Sequence, residues 1–186
     1  MGEFAEQVRT DEQLLAAHIA GDRFAFEELF NRYEAQLYRL ARIITRCPDD
    51  ARDALQEAML SAHCNATGFR RDCTVKSWLR RILVNACLDR LRRYRARPTA
   101  PLDPYTARHA RDPIPRVDTA IVVEKALLRL PIDQRAAVVA VDMQGFSVAE
   151  TAQLLGVPEG TIKSRCARGR AKLAAALKPL QAPVAR

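Results

Sequence analysis

Glycine and aromatic residues are scarce in this sequence. Only 7 of its 186 residues are Gly, and Phe, Trp and Tyr together make up 6%. Leu, Ala, Arg and Glu, most of them strong helix formers, are abundant instead, which favours helices over sheets. With 48% hydrophobic and 28% charged residues, the composition is typical of a folded protein and argues against extensive disorder.

Long apolar runs and paired cysteine motifs are also missing. No stretch approaches the ~20 apolar residues of a membrane helix. No secretory signal is visible at the N-terminus, so we expect a cytoplasmic protein without direct membrane binding. The five cysteines are odd in number and include no CxxC, which argues against a disulfide framework.

A metal site is the other role that cysteines could serve. His63, Cys64 and Cys73 lie close together in the sequence, but their spacing matches no standard zinc site and a fourth ligand is missing. We therefore expect no metal and no cofactor. Stoichiometric metal in the purified protein would contradict this expectation.

The net charge of +8 is distributed unevenly along the chain. Residues 1–64 carry 7 Lys and Arg against 12 Asp and Glu, whereas residues 65–100 carry 10 against 2. Residues 101–157 are near neutral, with 6 against 7, and residues 158–186 carry 7 against 1. Two separate basic segments favour a polyanionic partner, most often nucleic acid. A solvated charged face is the alternative for either segment alone.

Apolar spacing predicts helices on both sides of a proline-rich segment. The predicted helices run from Thr10 or Asp11 to Gly21, from Asp22 to Cys47, from Asp49 or Asp50 to His63, from about Val75 to Arg95, from Thr119 to Leu130 and from Asp133 to Gln144. Residues 96–118 hold five of the ten prolines and no apolar period, which predicts a flexible linker. The fold class is therefore all-α, with two small helical domains at 1–95 and 119–178 and a tail at 179–186.

Residues 147–173, SVAETAQLLGVPEGTIKSRCARGRAKL, predict two short helices around a tight turn. Ser147 and Glu150 have capping-box spacing, Gly156 suits the left-handed end of the first helix, and Pro158 suits the first turn of the second. Only the second helix is rich in Arg and Lys, as in a helix-turn-helix whose second helix enters the major groove. An ordinary helical hairpin with a solvated face is the alternative.

The other basic segment, SWLRRILVNACLDRLRRYRAR, carries a polar stripe along one helical face. Its members are Ser77, Arg81, Asn85, Asp89 and Arg92. Asn is a modest helix former, so an Asn in mid-helix indicates a hydrogen-bonding role. Arginines near Phe69, Trp78 and Tyr94 suit single-stranded or partly melted DNA. The alternative is that Trp78 and Phe69 belong to the core, and we favour it for Trp78.

An acidic-then-basic helical domain, a Pro-rich linker and a C-terminal helix-turn-helix together resemble a sigma factor of bacterial RNA polymerase. The resemblance is to the compact extracytoplasmic-function group and spans about residues 11–178. It rests on AGDRFAFEELF, DDARDALQEAMLSAH, FRRDCTVKSWLRRILVNACLDRLRR and LPIDQRAAVVAVDMQGFSVAETAQLLGVPEGTIKSRCARGRAKL. LVNACLDRLRR and AAVVAVDMQG are similar to the actinobacterial sigma-M type.

The resemblance implies a non-enzymatic protein that binds core RNA polymerase and recognises −10 and −35 promoter elements. In the family the third helix docks on the clamp of the largest subunit, and the β flap is a second contact. The implied polymerase contacts are Asp53, Gln56 and Glu57. The implied −10 contacts are Asn65, Phe69, Arg81, Asn85, Asp89, Arg92 and Arg93. The implied −35 contacts are Glu159, Thr161, Lys163, Ser164, Arg165, Arg168 and Arg170.

Further expectations follow from the same resemblance. The segment Asn65 to Trp78 is similar to the part that captures a flipped −10 base, and its few aromatic residues imply melting of only a few base pairs. Family members are typically held inactive by an anti-sigma factor, often membrane-anchored, and often serve stress responses. The alternative function is a free-standing helix-turn-helix regulator that binds duplex DNA as a dimer.

Overall fold

The structure, a computed structural model, describes residues 9–96 and 119–178, which contain helices and no strand. The first group is α1 (Asp11–Ile19), α2 (Ala25–Thr45), α3 (Pro48–Cys64) and α4 (Val75–Ala96), with a 3-10 turn at Ala66–Gly68. The second group is α5 (Thr119–Leu128), α6 (Ile132–Val138), α7 (Val148–Leu155) and α8 (Glu159–Leu177). The all-α prediction is confirmed. The predicted linker beyond Ala96 and the predicted tail lie outside the described residues.

Several helix starts differ from the sequence prediction. α3 begins at Pro48 with Cys47 as its N-cap, because proline needs no hydrogen-bond partner in the first turn. α2 begins at Ala25 rather than Asp22, since the Asp22 carboxylate accepts a hydrogen bond from the Phe24 amide and orders the preceding turn. Pro158 is the N-cap of α8 and not its first residue.

A second difference lies ahead of the helix-turn-helix. The helix predicted to end at Gln144 is α6 followed by a π-helical segment at Val139–Met143. Val139 and Ala140 in this segment are buried. Gly145 follows this segment, and its positive φ of 73° turns the chain towards α7.

A stripe of small residues lets the helices of the first group approach closely. Ala51, Ala54, Ala58 and Ala62 of α3 are each 0% exposed, as the apolar spacing predicts. Large side chains of α2 and α4 fill the remaining space, among them Leu29, Leu37, Ile44, Leu79, Leu83 and Leu88. Each fully buried Leu or Ile contributes roughly 1.5–3 kcal/mol to folding.

The predicted helix-turn-helix is present in α7 and α8. The Ser147 hydroxyl accepts a hydrogen bond from the Glu150 amide at 3.1 Å, and the Glu150 carboxylate accepts one from the Ser147 amide at 2.8 Å. Gly156 closes α7 in the left-handed conformation with φ 63°. The capping box and the glycine C-cap are both confirmed.

The two helix groups pack against each other. Arg81 of α4 forms an ion pair with Glu150 of α7, and its guanidinium lies 4.5 Å from the centroid of the Phe146 ring. Arg135 of α6 donates a hydrogen bond to the carbonyl of Ile44 in α2 at 3.4 Å. Buried apolar residues of both groups belong to one continuous cluster.

Candidate nucleic-acid interface

The recognition helix α8 exposes part of its basic face. Ile162 and Cys166, 0% and 3% exposed, fix the opposite face to the core. Lys163, Ser164 and Arg168 are exposed. The Arg168 side chain donates to the Ser164 carbonyl at 3.2 Å, which lays its guanidinium along the helix. Three side chains able to donate hydrogen bonds to base edges or phosphates therefore face solvent together.

Two other residues predicted to contact the −35 element are held by carboxylates. Arg165, with a side chain 14% exposed, pairs with Asp133 at 2.9 Å, and burial lowers the pKa of its guanidinium. Arg170 donates to both carboxylate oxygens of Asp142, at 3.0 and 2.7 Å. These contacts fasten α8 to the preceding helical segments. The remaining predicted contacts, at the start of α8, are the exposed Glu159 and the half-buried Thr161.

The polar face of α4 is the second candidate surface, and several of its side chains are paired with one another. Arg92 pairs with Asp89 and its aliphatic stem lies against Gly156, where an added Cβ would be 3.4 Å from the Arg92 Cδ. Asp89 also pairs with Arg93 at 2.6 Å. Asn85 lies between Arg81 and this cluster, and its buried Oδ1 has no hydrogen-bond partner among the described residues. Such an oxygen is costly unless a donor reaches it.

Arg90 joins α4 to α3, and sequence reasoning missed it. Its side chain is 15% exposed and lies 3.1, 2.8 and 3.0 Å from carboxylate oxygens of Asp50, Asp53 and Glu57. Burial alone would lower the pKa of Arg90, but the hydrogen bond with Asp50 and the three negative charges raise it. One face of α3 carries three acidic residues, Asp50, Asp53 and Glu57. Like charges at this spacing repel one another, so the pattern could have indicated a cation packed against this face.

The predicted polymerase contacts therefore lie in two environments. Asp53 and Glu57 have their charges compensated by α4, whereas Gln56 is exposed. Gln56 borders an open groove of about 1050 Å³ between α2 and α3, together with Leu60. Leu60 is 67% exposed. A large exposed apolar side chain beside a groove is typical of a protein-binding surface.

The segment between α3 and α4 holds two of the predicted −10 contacts, Asn65 and Phe69, and both make contacts within the protein. The Asn65 side chain donates to the Ser61 carbonyl at 2.8 Å and so caps the end of α3. Phe69 and Trp78 pack together with ring centroids 5.4 Å apart, and both are partly buried against the core. A groove of about 570 Å³ opens beside Phe69 and is completed by residues 71–74 and by α1.

The described residues contain neither a metal-binding cluster nor a membrane-spanning helix. Across residues 9–96 and 119–178, no three His, Cys, Asp or Glu side chains are grouped so that they could hold a metal ion. In the same part of the chain no helix has the length and apolar character needed to span a membrane.

Comparisons with known proteins cover both helix groups. Residues 29–97 match the family described as Sigma-70 region 2, and residues 121–173 match Sigma-70, region 4. The ECF RNA polymerase sigma factor SigM of Mycobacterium tuberculosis is 63% identical, over 89% of this chain and 84% of its own length. The ECF RNA polymerase sigma factor SigW of Bacillus subtilis is 27% identical, over 86% of this chain and 92% of its own length.

A solved structure agrees with these relatives. The sigma factor RpoE of Bartonella quintana, in complex with the anti-sigma factor NepR, has a TM-score of 0.53 and 26% identity, covering 83% of this chain and 98% of that one. A helix-turn-helix alone would not predict the region 2 match, so the free-standing regulator is not favoured. The chain belongs to the extracytoplasmic-function sigma factors, which are not enzymes and which direct RNA polymerase to initiate transcription at promoters.

Proposed function

We propose that this protein binds core RNA polymerase through α2 and α3, reads the −10 element with α4 and reads the −35 element with α8. The observation that carries the proposal is the exposed set of Lys163, Ser164 and Arg168 on a helix whose other face is buried. Arg and Lys in the major groove recognise guanine, and each good bidentate contact contributes about 1–3 kcal/mol of discrimination.

The −10 element is contacted by the polar face of α4 and the loop before it. Arg81, Asn85, Arg92 and Arg93 supply donors, and Asp89 orients two of these arginines. The groove beside Phe69 is the proposed site for a flipped base, because it combines an aromatic edge with polar loop residues. Few aromatic side chains flank it, so we expect only a few base pairs to melt.

The polymerase is contacted by the groove between α2 and α3, with Gln56 and Leu60 at its border. The acidic balance of this third of the chain suits a basic docking surface. The helix-turn-helix domain is proposed to contact the β flap. The protein itself performs no catalysis and takes no cofactor, and it acts in the cytoplasm.

An anti-sigma factor is the proposed regulatory partner. The Bartonella relative was solved in complex with one, and it covers most of this chain. Binding of such a partner to this protein is expected to exclude polymerase, promoter DNA or both.

Reconstituted transcription tests the proposed function. The protein is mixed with core bacterial RNA polymerase and fragmented genomic DNA, and transcript 5′ ends are mapped. We expect discrete starts that share two upstream elements and are absent with core polymerase alone. A lack of dependent starts, together with dimeric binding to duplex DNA without polymerase, would instead support the free-standing regulator.

The Arg168→Ala variant tests the residue assignment within the same assay. We expect transcription from promoters with a −35 element to fall at least about tenfold, which corresponds to about 1.4 kcal/mol, with polymerase binding unchanged. Lys178→Ala, at the far end of the same surface helix, is the matched control and should transcribe normally. Loss of polymerase binding in the Arg168 variant contradicts the assignment.

A further inference from the structure

We infer that Asp133 and Arg165 are positioning residues for recognition of the −35 element, because their ion pair sets the rotation of α8 and so the direction in which its exposed donors face. The inference rests on the proposed function, since it takes α8 as the −35 reader. It gives Arg165 a role other than the direct DNA contact that the family resemblance implies, and it assigns a role to Asp133 in α6.

Arg165 is poorly placed to contact DNA itself. Its side chain is 14% exposed, against 58% for Arg170 of the same helix. Its Nη2 donates a hydrogen bond to the Asp133 carboxylate at 2.9 Å. Its Nη1 is buried and has no hydrogen-bond partner among the described residues. The ion pair therefore holds the guanidinium against α6, and a phosphate can reach it only after the pair has opened.

The acceptor of this pair is carried by an element anchored in the core. Asp133 lies in the first turn of α6, where a carboxylate interacts favourably with the helix dipole. The next turn of α6 is buried through Arg135, Ala136, Ala137 and Val138. The carboxylate thus has a fixed position relative to the core, and α8 takes its orientation from it.

Gly169 gives α8 a second attachment to α6. It follows Arg165 by four residues, so the two lie on the same side of α8 and about 6 Å apart along its axis. A Cβ on Gly169 would lie 2.6 Å from Val138 Cγ2, so the helices are close together here. Close packing at a residue without a side chain supplies no directional bond. The ion pair at Arg165 supplies one and resists rolling of α8 on α6.

The rotation of α8 decides where its exposed donors point. Ser164 directly precedes Arg165, and Arg168 follows it by one turn. Successive residues are about 100° apart around a helix axis, so a roll by a fraction of that angle redirects both side chains. Hydrogen bonds weaken steeply away from their preferred direction. A roll of α8 should therefore reduce discrimination between bases more than it reduces attraction to phosphates.

Asp133 also keeps the charge of Arg165 away from DNA. Arg165 and Arg168 carry like charges at a spacing of three residues, at which they repel each other. Without Asp133, the mostly buried guanidinium of Arg165 would lack a carboxylate partner, which is costly. It should then turn towards solvent and phosphates. Loss of Asp133 would thus add a DNA contact that carries no sequence information.

Salt-dependent DNA binding by the full-length protein tests the inference. A duplex preferred by the wild type is selected from a random duplex library, and its scrambled version is the non-specific reference. Each phosphate contact adds about 0.9 to the slope of log affinity against log salt concentration. The ratio of the affinities for the two duplexes measures discrimination. Partial unfolding lowers both affinities equally, so a purely structural defect leaves the ratio unchanged.

The variants should separate positioning from contact. Arg165→Ala should keep the wild-type slope but lower the ratio about three- to tenfold, comparable to the loss of one weak base contact. Asp133→Ala should lower the ratio similarly and steepen the slope by about 0.9, because Arg165 then reaches a phosphate. Arg165→Ala added to Asp133→Ala should restore the wild-type slope without a further fall in the ratio.

The exposed pair of Asp49 and Arg52 in α3 supplies matched controls. Asp49→Ala and Arg52→Ala make the same charge changes away from α8 and should leave the ratio at its wild-type value. A simple effect of net charge would make Arg165→Ala flatten the slope as much as Asp133→Ala steepens it.

Each failure has a distinct signature. A flattened slope in Arg165→Ala would show that Arg165 contacts phosphate and would overturn the inference, as would an unchanged ratio in both single variants. Arg168→Ala should lower affinity for the selected duplex at least about tenfold. Normal binding by that variant, or a wild type that selects no preferred duplex, would contradict the proposed role of α8 itself.

Discussion

At the scale of single residues, arginine performs two different tasks in this protein. Arg168 is exposed and is proposed to contact DNA, whereas Arg90 is nearly buried among three carboxylates of α3. The Tyr94 hydroxyl donates to Asp50 at 2.6 Å and extends the same network. Arg90 thus sets the position of α4, the proposed −10 helix, relative to α3, the proposed polymerase-docking helix.

Replacing Arg90 with Ala should destabilise the protein. The change leaves Asp50 and Asp53 without a cation and Glu57 with only its longer contact to Arg93 at 3.4 Å. Asp50 is mostly buried but the other two carboxylates are partly exposed, so we expect a loss of about 1–2 kcal/mol in the free energy of unfolding. Urea denaturation measures it. Arg52→Ala is the control, because Arg52 makes only an exposed pair with Asp49 and should cost no more than about 0.5 kcal/mol. Equal losses for the two variants would contradict the role given to Arg90.

At the scale of elements, the contact between α6 and α8 depends on a missing side chain. A Cβ at Gly169 would lie 2.6 Å from Val138 Cγ2 and 3.4 Å from the Gln134 carbonyl oxygen. Gly160, in the first turn of the same helix, has nothing within 4 Å of such an atom. One glycine allows close packing of the recognition helix, and the other is in open space.

The two glycines should therefore respond oppositely to alanine. Gly169→Ala should lose about 1–2 kcal/mol of stability, because overpacking outweighs the gain in helix propensity. Gly160→Ala should lose nothing and gain up to about 1 kcal/mol. Thermal and urea unfolding of both variants measure this. A stabilised Gly169→Ala protein would mean that α6 and α8 are not held this closely in solution.

At the scale of the whole molecule, the two helix groups share one buried cluster. Contacts between α4 and α7 and between α2 and α6 connect them. Unfolding of either group exposes apolar surface of the other. The free chain should therefore behave as one cooperative unit.

Scanning calorimetry of the free protein checks this cooperativity. We expect a single transition whose calorimetric and van't Hoff enthalpies agree, and Gly169→Ala should lower the midpoint of that whole transition. Two transitions, with the midpoint of only one of them lowered by Gly169→Ala, would show that the two helix groups unfold independently. The Glu150→Arg variant replaces the ion pair between Glu150 of α7 and Arg81 of α4 with two like charges. It should broaden or split the transition.

Much of the local structure could be predicted from the sequence. The apolar stripe of α3, the capping box of Ser147 and Glu150 and the left-handed Gly156 each depend on residues within a few positions of one another. Helix starts were less predictable at Asp22 and Pro48, because several neighbouring residues compete as caps. The family resemblance was confirmed because its motifs span both helix groups.

The sequence by itself determined the helices, their apolar faces and the helix-turn-helix, because short-range hydrogen bonds and helical periodicity are properties of neighbouring residues. Only the tertiary structure decided which charged residues are available. Asp53 and Glu57 are compensated by Arg90, Arg165 is held by Asp133, and Arg81 is held by Glu150. Each of these pairs joins residues far apart in the chain, and a charge becomes a binding group or a structural one according to the partner that folding brings to it.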